Sequence, residues 1–188
     1  MRLGLVVCAG AALALAACGG GDDDDGGAEP TATSVATGPI VFASDAFESG
    51  QPIPVEYSCD GENMSPRLDW TGLPAGTQSL AVEMIDPDAG GFVHWVIFDI
   101  PADLGGLPGE VPHGAELSDG SKQAINTSGE VGYSGPCPPS GQEHEYLFRV
   151  YALDEPLGLE GGGSARSVQG ALAEHTLAMS ELAGTFSR

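Results

Sequence analysis

The sequence predicts a mainly β domain: a β-sandwich with one C-terminal helix and a few short peripheral helical turns. Three observations predict it. Short apolar runs with alternating polar residues recur between Gly/Pro-rich turns from Ile40 onward, the signature of strands that bury one face. Only one stretch, Ser167 to Ala183, carries a helical stripe. The part able to fold, residues 39–188, has the length of one domain with a sizeable core.

Residues 1–17 are read as a leader rather than as part of the fold. Met1-Arg2 is a short positive start, Leu3 to Leu15 is apolar and too short to span a bilayer comfortably, and Leu15-Ala16-Ala17-Cys18 follows. This box resembles a bacterial lipoprotein signal, which implies cleavage before Cys18 and lipidation of its thiol. Residues 18–38, with Asp22 to Asp25 between glycine runs and then a Pro/Thr/Ala/Ser stretch, have nothing to bury and read as a flexible acidic tether. About twenty such residues reach roughly 25 Å, from ~5–6 Å times the square root of their number. The expected location is therefore the extracytoplasmic face of a cell membrane, reached through the Cys18 anchor.

Charge narrows the partners. Of 27 acidic residues, five (Asp22 to Asp25 and Glu29) lie in the tether, and of six basic residues one is Arg2, which leaves the domain near −17. Such a field repels polyanions at long range, so no nucleic-acid partner is expected. Cys8 leaves with the leader and Cys18 takes the lipid, so Cys59 and Cys137 remain as an even pair. A disulfide between them is expected, with two separate buried thiols as the alternative should their Cα atoms not approach within bridging distance.

In chain order, Ile40 to Ala43 and Pro52 to Tyr57 read as short strands, Cys59 to Pro66 as turn chemistry leading to a strand through Leu68 and Trp70, and Leu73 to Thr77 as another turn. Leu80 to Ile85 and Phe92 to Ile100 flank Asp86-Pro87-Asp88-Ala89-Gly90-Gly91, which is how a β-hairpin is written. Alternation puts His94 with Val96 and Phe98 on one face, and Trp95 and Ile97 on the other. Residues 102–143 are Gly/Pro-rich with little periodicity, a length of irregular chain that is usually functional or pinned by neighbours. His144 to Leu153 is a strand with His144, Tyr146, Phe148 and Val150 on one face. After a loop over Pro156 to Gly163 comes the helix, with Val168, Leu172, His175, Met179 and Leu182 in its stripe, Ser164 or Ser167 as cap and Gly184 as stop. His175 there reads as a packing residue, and Thr185 to Arg188 as an added terminal strand.

Several of these segments together carry a family resemblance. Cys59-x-Gly61-x-Asn63-x-Ser65-Pro66-x-Leu68-x-Trp70, Asp86-Pro87-Asp88-Ala89, His94-Trp95, Gly135-Pro136-x-Pro138-Pro139-x-Gly141, His144-x-Tyr146 and Tyr151-Ala152-Leu153 stand in the order and spacing of the phosphatidylethanolamine-binding protein (PEBP) family. The chain most resembles its bacterial, Raf kinase inhibitor-like branch. The resemblance implies a PEBP-like β-sandwich with a small end-on pocket for an anion such as phosphate or a phospholipid head group. It carries the ligand-binding role onto Asp86, Asp88, His94, Gly135, Pro136, Pro138, Gly141, His144 and Tyr146. The turn from Ala89 to Val93 departs from the family pattern, being shorter and lacking a proline after Asp-Pro-Asp-Ala, which implies a more open rim.

Two carboxylates in an anion pocket call for a proton. The expectation is that Asp86 orients both histidines, and that their N–H groups, the Tyr146 hydroxyl and backbone amides of the Pro-rich loop hold the ligand. A rival reading is a metal-dependent or acid/base enzyme using Asp86, Asp88, His94 and His144; the sequence has no Gly-x-Ser-x-Gly elbow and no His-Glu-x-x-His. A second rival is an inhibitor or regulator of an extracytoplasmic protease or signalling partner, which would show an exposed apolar patch beside the pocket. The sequence reading commits to a binding protein without catalysis, metal or cofactor.

Overall fold

The computed structural model describes residues 39–188; the leader, Cys18 and the tether lie outside the described residues. Nine strands and one α-helix follow in chain order: β1 (Val41–Ala43), β2 (Gln51–Pro52), β3 (Leu68–Thr71), β4 (Ser79–Asp86), β5 (Phe92–Pro101), β6 (Gly106–Leu107), β7 (Lys122–Gln123), β8 (Glu143–Leu153), α1 (Ala165–His175) and β9 (Thr176–Ser187). They form a three-stranded sheet, β1-β3-β6, and a six-stranded sheet, β2-β9-β8-β4-β5-β7.

The central strands explain the layering. In β4, Leu80, Val82 and Met84 enter the core between the sheets, where they meet Leu68 and Trp70 of the small sheet and Phe148 and Val150 of β8. Ala81 turns the other way and joins Val96, Phe98 and Leu153 beneath Val168 and Leu172 of α1. Period-two alternation on a strand covered on both faces thus makes three layers: small sheet, large sheet, helix.

The hairpin, the Leu68–Trp70 strand and β8 lie where the sequence puts them. The C-terminal element does not. The helix ends at His175, and Thr176–Ser187 is a twelve-residue strand paired with β8 along almost all of β8's length. Alternate residues Ala178 and Leu182 face the core while Met179 stands about half exposed, so spacings that fit a helical stripe also fit a strand. The β8 edge decides between them, because its backbone groups need partners. Ser164 caps the helix, its Oγ accepting from the Ser167 N–H at 3.2 Å, and the stop is Thr176, whose hydroxyl donates to the Leu172 carbonyl at 2.6 Å, rather than Gly184. His175 packs no core; its Nδ1 donates to Asp154 Oδ1 at 3.1 Å at the helix C-terminus, where positive charge is favoured.

The expected strand over Pro52 to Tyr57 is also corrected: only Gln51–Pro52 pairs, parallel to β9, and Val55–Tyr57 is a 3-10 turn. Pro52 and Pro54 have no N–H to continue a ladder. The irregular 102–143 segment is pinned by buried amides. Gln123, fully buried, accepts from Trp95 Nε1 at 2.7 Å and donates to the Pro112 and Gly114 carbonyls; Asn126 Nδ2 donates to the His94 and Gly132 carbonyls.

Candidate functional site

β4 runs antiparallel to β5 and β8, so its last residue, Asp86, lies beside the first residues of the other two. The 132–141 loop closes over this end, and a cavity of about 390 Å³ results.

One extra residue aims His94 into it. Ile85 pairs with Val93 and Met84 pairs with Trp95, leaving His94 without an opposite number. This is a β-bulge, which puts two successive side chains on one face. His94 therefore leaves the face of Val96 and Phe98, where strict alternation places it, and packs against Phe92 and edge-on to Tyr146, with ring centroids 4.7 and 5.3 Å away. Its Nδ1 lies 2.8 Å from the Ser134 carbonyl oxygen. A carbonyl only accepts, so Nδ1 carries the proton and, in the neutral ring, Nε2 is a bare acceptor. Burial pushes the His94 pKa down, against the opposing pull of the Ser134 carbonyl and the Asp86 charge, which favours that neutral form.

Asp86, only 3% exposed, is held by the hairpin itself: Oδ1 accepts from the Ala89 N–H at 2.9 Å. Its Oδ2 accepts from His144 Nδ1 at 2.8 Å, and His144 Nε2 lies 3.3 Å from Gln142 Oε1. Asp86 thus orients His144, while a backbone carbonyl orients His94. Asp88 Oδ2 accepts from the Glu145 N–H at 2.8 Å and ties the turn to the start of β8.

Tyr146 lies behind the His94 wall, outside the cavity lining. It is fully buried, and its hydroxyl has no hydrogen-bond partner among the described residues. Burial first, and then the charge of Asp86, push its pKa well up, so it is a neutral phenol. Two amides of the covering loop are engaged within the fold: the Ser134 N–H donates to the His94 carbonyl and the Gly135 N–H to Asn63 Oδ1 at 2.7 Å. Gly135 is required by close approach, since a Cβ there would sit 2.2 Å from the Tyr57 carbonyl oxygen. Cys59 and Cys137 are bridged, with Cα atoms 5.4 Å apart, which fixes the loop over the cavity.

Of the nine residues expected at the pocket, Asp86, Asp88, His94, Gly135 and His144 line the cavity. Tyr146 packs against its His94 wall. Pro136, Pro138 and Gly141 do not line it; the Pro136 carbonyl turns to the Cys59 N–H and the Gly141 N–H to the Arg188 carbonyl. Cys137 and Pro139 of the same loop do, and so do Phe92, Ser128, Ser134 and Gln142, which the sequence reading passed over. Gln142 and Phe92 flank the strand starts that hold His144 and His94, and that proximity was the available signal. Ser128 comes from the irregular segment and had none.

A broader depression of about 520 Å³ lies along Glu62 to Ser65 and Glu110 to His113, but His113 Nδ1 there is committed to the Val131 carbonyl and no set of donors converges. No group of three His, Cys, Asp or Glu among the described residues is arranged to hold a metal ion. The exposed apolar residues Val41, Val55, Ile125, Leu177 and Met179 do not border the 390 Å³ cavity.

Comparison with known proteins gives a consistent picture. The sequence model of the family described as phosphatidylethanolamine-binding protein matches residues 43–187. A UPF0098 protein of Methanothermobacter thermautotrophicus is 50% identical over 145 residues, covering 76% of this chain and 95% of that protein. A Mycobacterium tuberculosis protein named "Putative lipoprotein LppC" is 37% identical over 162 residues, covering 84% of this chain and 77% of that one. Among solved structures, Escherichia coli YbcL, titled a new member of the mammalian PEBP family, superposes with a TM-score of 0.74 at 30% identity, covering 80% of this chain and 99% of that one.

Proposed function

The chain belongs to the phosphatidylethanolamine-binding protein family, and from that premise we propose that it is a lipid-anchored, extracytoplasmic binding protein whose cavity between Asp86, His94 and His144 receives a small phosphoryl anion, free or as a head group. One observation carries the reading: Asp86, His94 and His144, brought together from β4, β5 and β8, line one cavity of about 390 Å³, large enough for such a group. The family's name is that of a binding protein, and the side chains at the cavity include no nucleophile with an adjacent base, so binding rather than catalysis is the role supported here.

The anchor rests on the Leu15 to Cys18 box and on the lipoprotein name of the mycobacterial relative. No helix among the described residues is long and apolar enough to cross a membrane. The Cys59–Cys137 bridge suits an oxidising compartment.

Amide NMR spectra of the chain during titration with phosphate, phosphorylethanolamine and glycerophosphoethanolamine test the pocket. Saturable shifts confined to Asp86–Trp95, Gly135–Gly141 and His144–Tyr146, and absent in His94→Ala, are expected. Flat titrations at millimolar ligand would reject the reading. Fatty-acid labelling that persists in Cys18→Ser would reject the anchor.

A further inference from the structure

The outer face of the large sheet carries a buried carboxylate that the strand-end cavity does not use. In β4, Val82 and Met84 enter the core between the sheets, so alternation turns Glu83 the other way, towards the α1 side, where it lies opposite Val96 of β5 and Arg149 of β8. It is only 3% exposed. A carboxylate offers about four acceptor positions, and Glu83 fills one of them. Its Oε1 accepts from Gln169 Nε2 of α1 at a long 3.3 Å, and neither oxygen has another hydrogen bond among the described residues. The cation in its row is turned away: Arg149 also lies opposite Glu181 of β9, and its Nε donates to Glu181 Oε2 at 2.8 Å. Burial pushes the Glu83 pKa up, against weaker pulls from the Gln169 amide, Arg149 and Tyr151.

Space adjoins this carboxylate. α1 ends at His175, and where β9 begins a hollow of about 420 Å³ opens, with Glu83, Gln169 and Tyr151 in its lining and Leu172, Ala173 and Met179 as apolar walls. It shares no residue with the strand-end cavity. Burial, and then the Glu83 charge, push the Tyr151 pKa up to about 12, so Tyr151 is a neutral phenol and Glu83 alone in the lining carries a charge. We propose that this hollow is a second binding site, for a small organic amine in its ammonium form: the ammonium donates to Glu83, and a compact apolar body packs on Leu172, Ala173 and Met179. The chemistry is complementary on each count. An ammonium cancels a charge that burial leaves under-compensated, and its N–H groups occupy acceptor positions that Gln169 leaves open. Tyr151 offers an aromatic ring to a cation, and Met179, about half exposed, a polarizable thioether that adapts to apolar shapes. An anion would meet the Glu83 charge with no cation in the lining, and a neutral isostere would leave that charge uncompensated. The net charge of −21 draws cations towards the surface, and the volume lies within the range of small-molecule pockets, roughly 300–1,000 Å³.

Isothermal titration calorimetry and amide NMR of the full chain in nonionic detergent at pH 7.5, with benzylamine, benzyl alcohol and benzoate as probes, test this, because the three share a ring and differ in charge. Benzylammonium is expected to bind saturably, to shift the amides of Glu83, Tyr151, Gln169 to Ala173 and Met179, and to leave those of Asp86, His94 and His144 unmoved. Benzyl alcohol and benzoate are expected at least about tenfold weaker. Glu83→Gln keeps the shape and drops the charge, and should weaken benzylammonium at least about tenfold; Arg149 keeps Glu181 as its partner, so the fold should persist. Ala173→Phe fills the hollow from an exposed helix position and should abolish binding with Glu83 still in place, a second route to the answer if Glu83→Gln does not fold. Benzyl alcohol binding as tightly as benzylammonium would overturn the proposal, as would equal benzylammonium affinity in either variant. Shifts confined to Asp86, His94 and His144, or neither heat nor shifts at millimolar benzylammonium, would overturn it as well, and none of these outcomes bears on whether the strand-end cavity takes a phosphoryl anion.

Discussion

His94 sits 5% exposed with a carbonyl on one ring nitrogen and the cavity on the other, and this environment has a measurable signature. A ring whose folded pKa lies below its ordinary value of about 6.5 binds protons less readily in the folded protein than in the unfolded chain. Its contribution to stability is then complete above about pH 6.5 and is lost as the pH falls through the lowered folded value. Histidine side-chain NMR should show His94 titrating below the ordinary value, with Nδ1 protonated throughout; titration above about 7 would contradict the neutral-acceptor geometry. The candidate site residues were legible because Asp86-Pro87-Asp88, His94 and His144-x-Tyr146 concentrate polar chemistry at strand ends. The aim of His94 was not, because alternation describes a regular ladder and a bulge is set by pairing with β4, three-dimensional information that no local pattern holds. The partners of Gly135 and Ser134 were hidden for the same reason: Asn63 comes from a distant turn.

At the scale of elements, α1 and β9 show two periodicities competing for one stretch. Leu182 is 3% exposed in the core while Met179 is 48% exposed on the outer face. A continuous helix would set the two side by side on one stripe, and the strand separates them. Leu182→Ala is expected to cost about 2–4 kcal/mol, and Met179→Ala less than about 0.5 kcal/mol, in urea denaturation; equal costs would restore the helical reading. The hairpin, β8 and the start of α1 were legible since turn residues and capping serines are local signals. The end of α1 was not, since Thr176 is a weak stop and the demand of the β8 edge for a partner is tertiary. The 3-10 turn over Val55–Tyr57, by contrast, was available from Pro52 and Pro54.

Across the whole molecule, two features act at a distance. The disulfide joins residues 78 apart in sequence, and closing a loop of that length in the unfolded chain is worth about 4 kcal/mol by chain entropy. Cys59→Ser with Cys137→Ser should therefore lower the melting temperature by roughly 8–16 °C and broaden amide signals of residues 132–141; an unchanged melting temperature would show that the loop is held by its hydrogen bonds alone. The charge of −21 opposes any anion approaching the cavity. Raising sodium chloride from 20 to 150 mM should speed methyl phosphate association by a factor of about two to five, and a fall instead would mean that local attraction outweighs the global field. The sandwich architecture and the charge were legible from composition and pattern; the order β2-β9-β8-β4-β5-β7 was not, because pairing partners lie far apart along the chain. The bulge at His94 has a further bearing on how such a molecule can change over generations. The residue that turns its ring to the cavity is also one that the ladder leaves unpaired, so losing that single codon would regularise this stretch of β4–β5 pairing, leaving the second irregularity between Leu80 and Val82 in place, while removing the ring from the cavity. The same deletion would take away the carbonyl that holds the Ser134 N–H and the buried Asn126 amide, so the ring at the cavity and the anchoring of the irregular segment are inherited together.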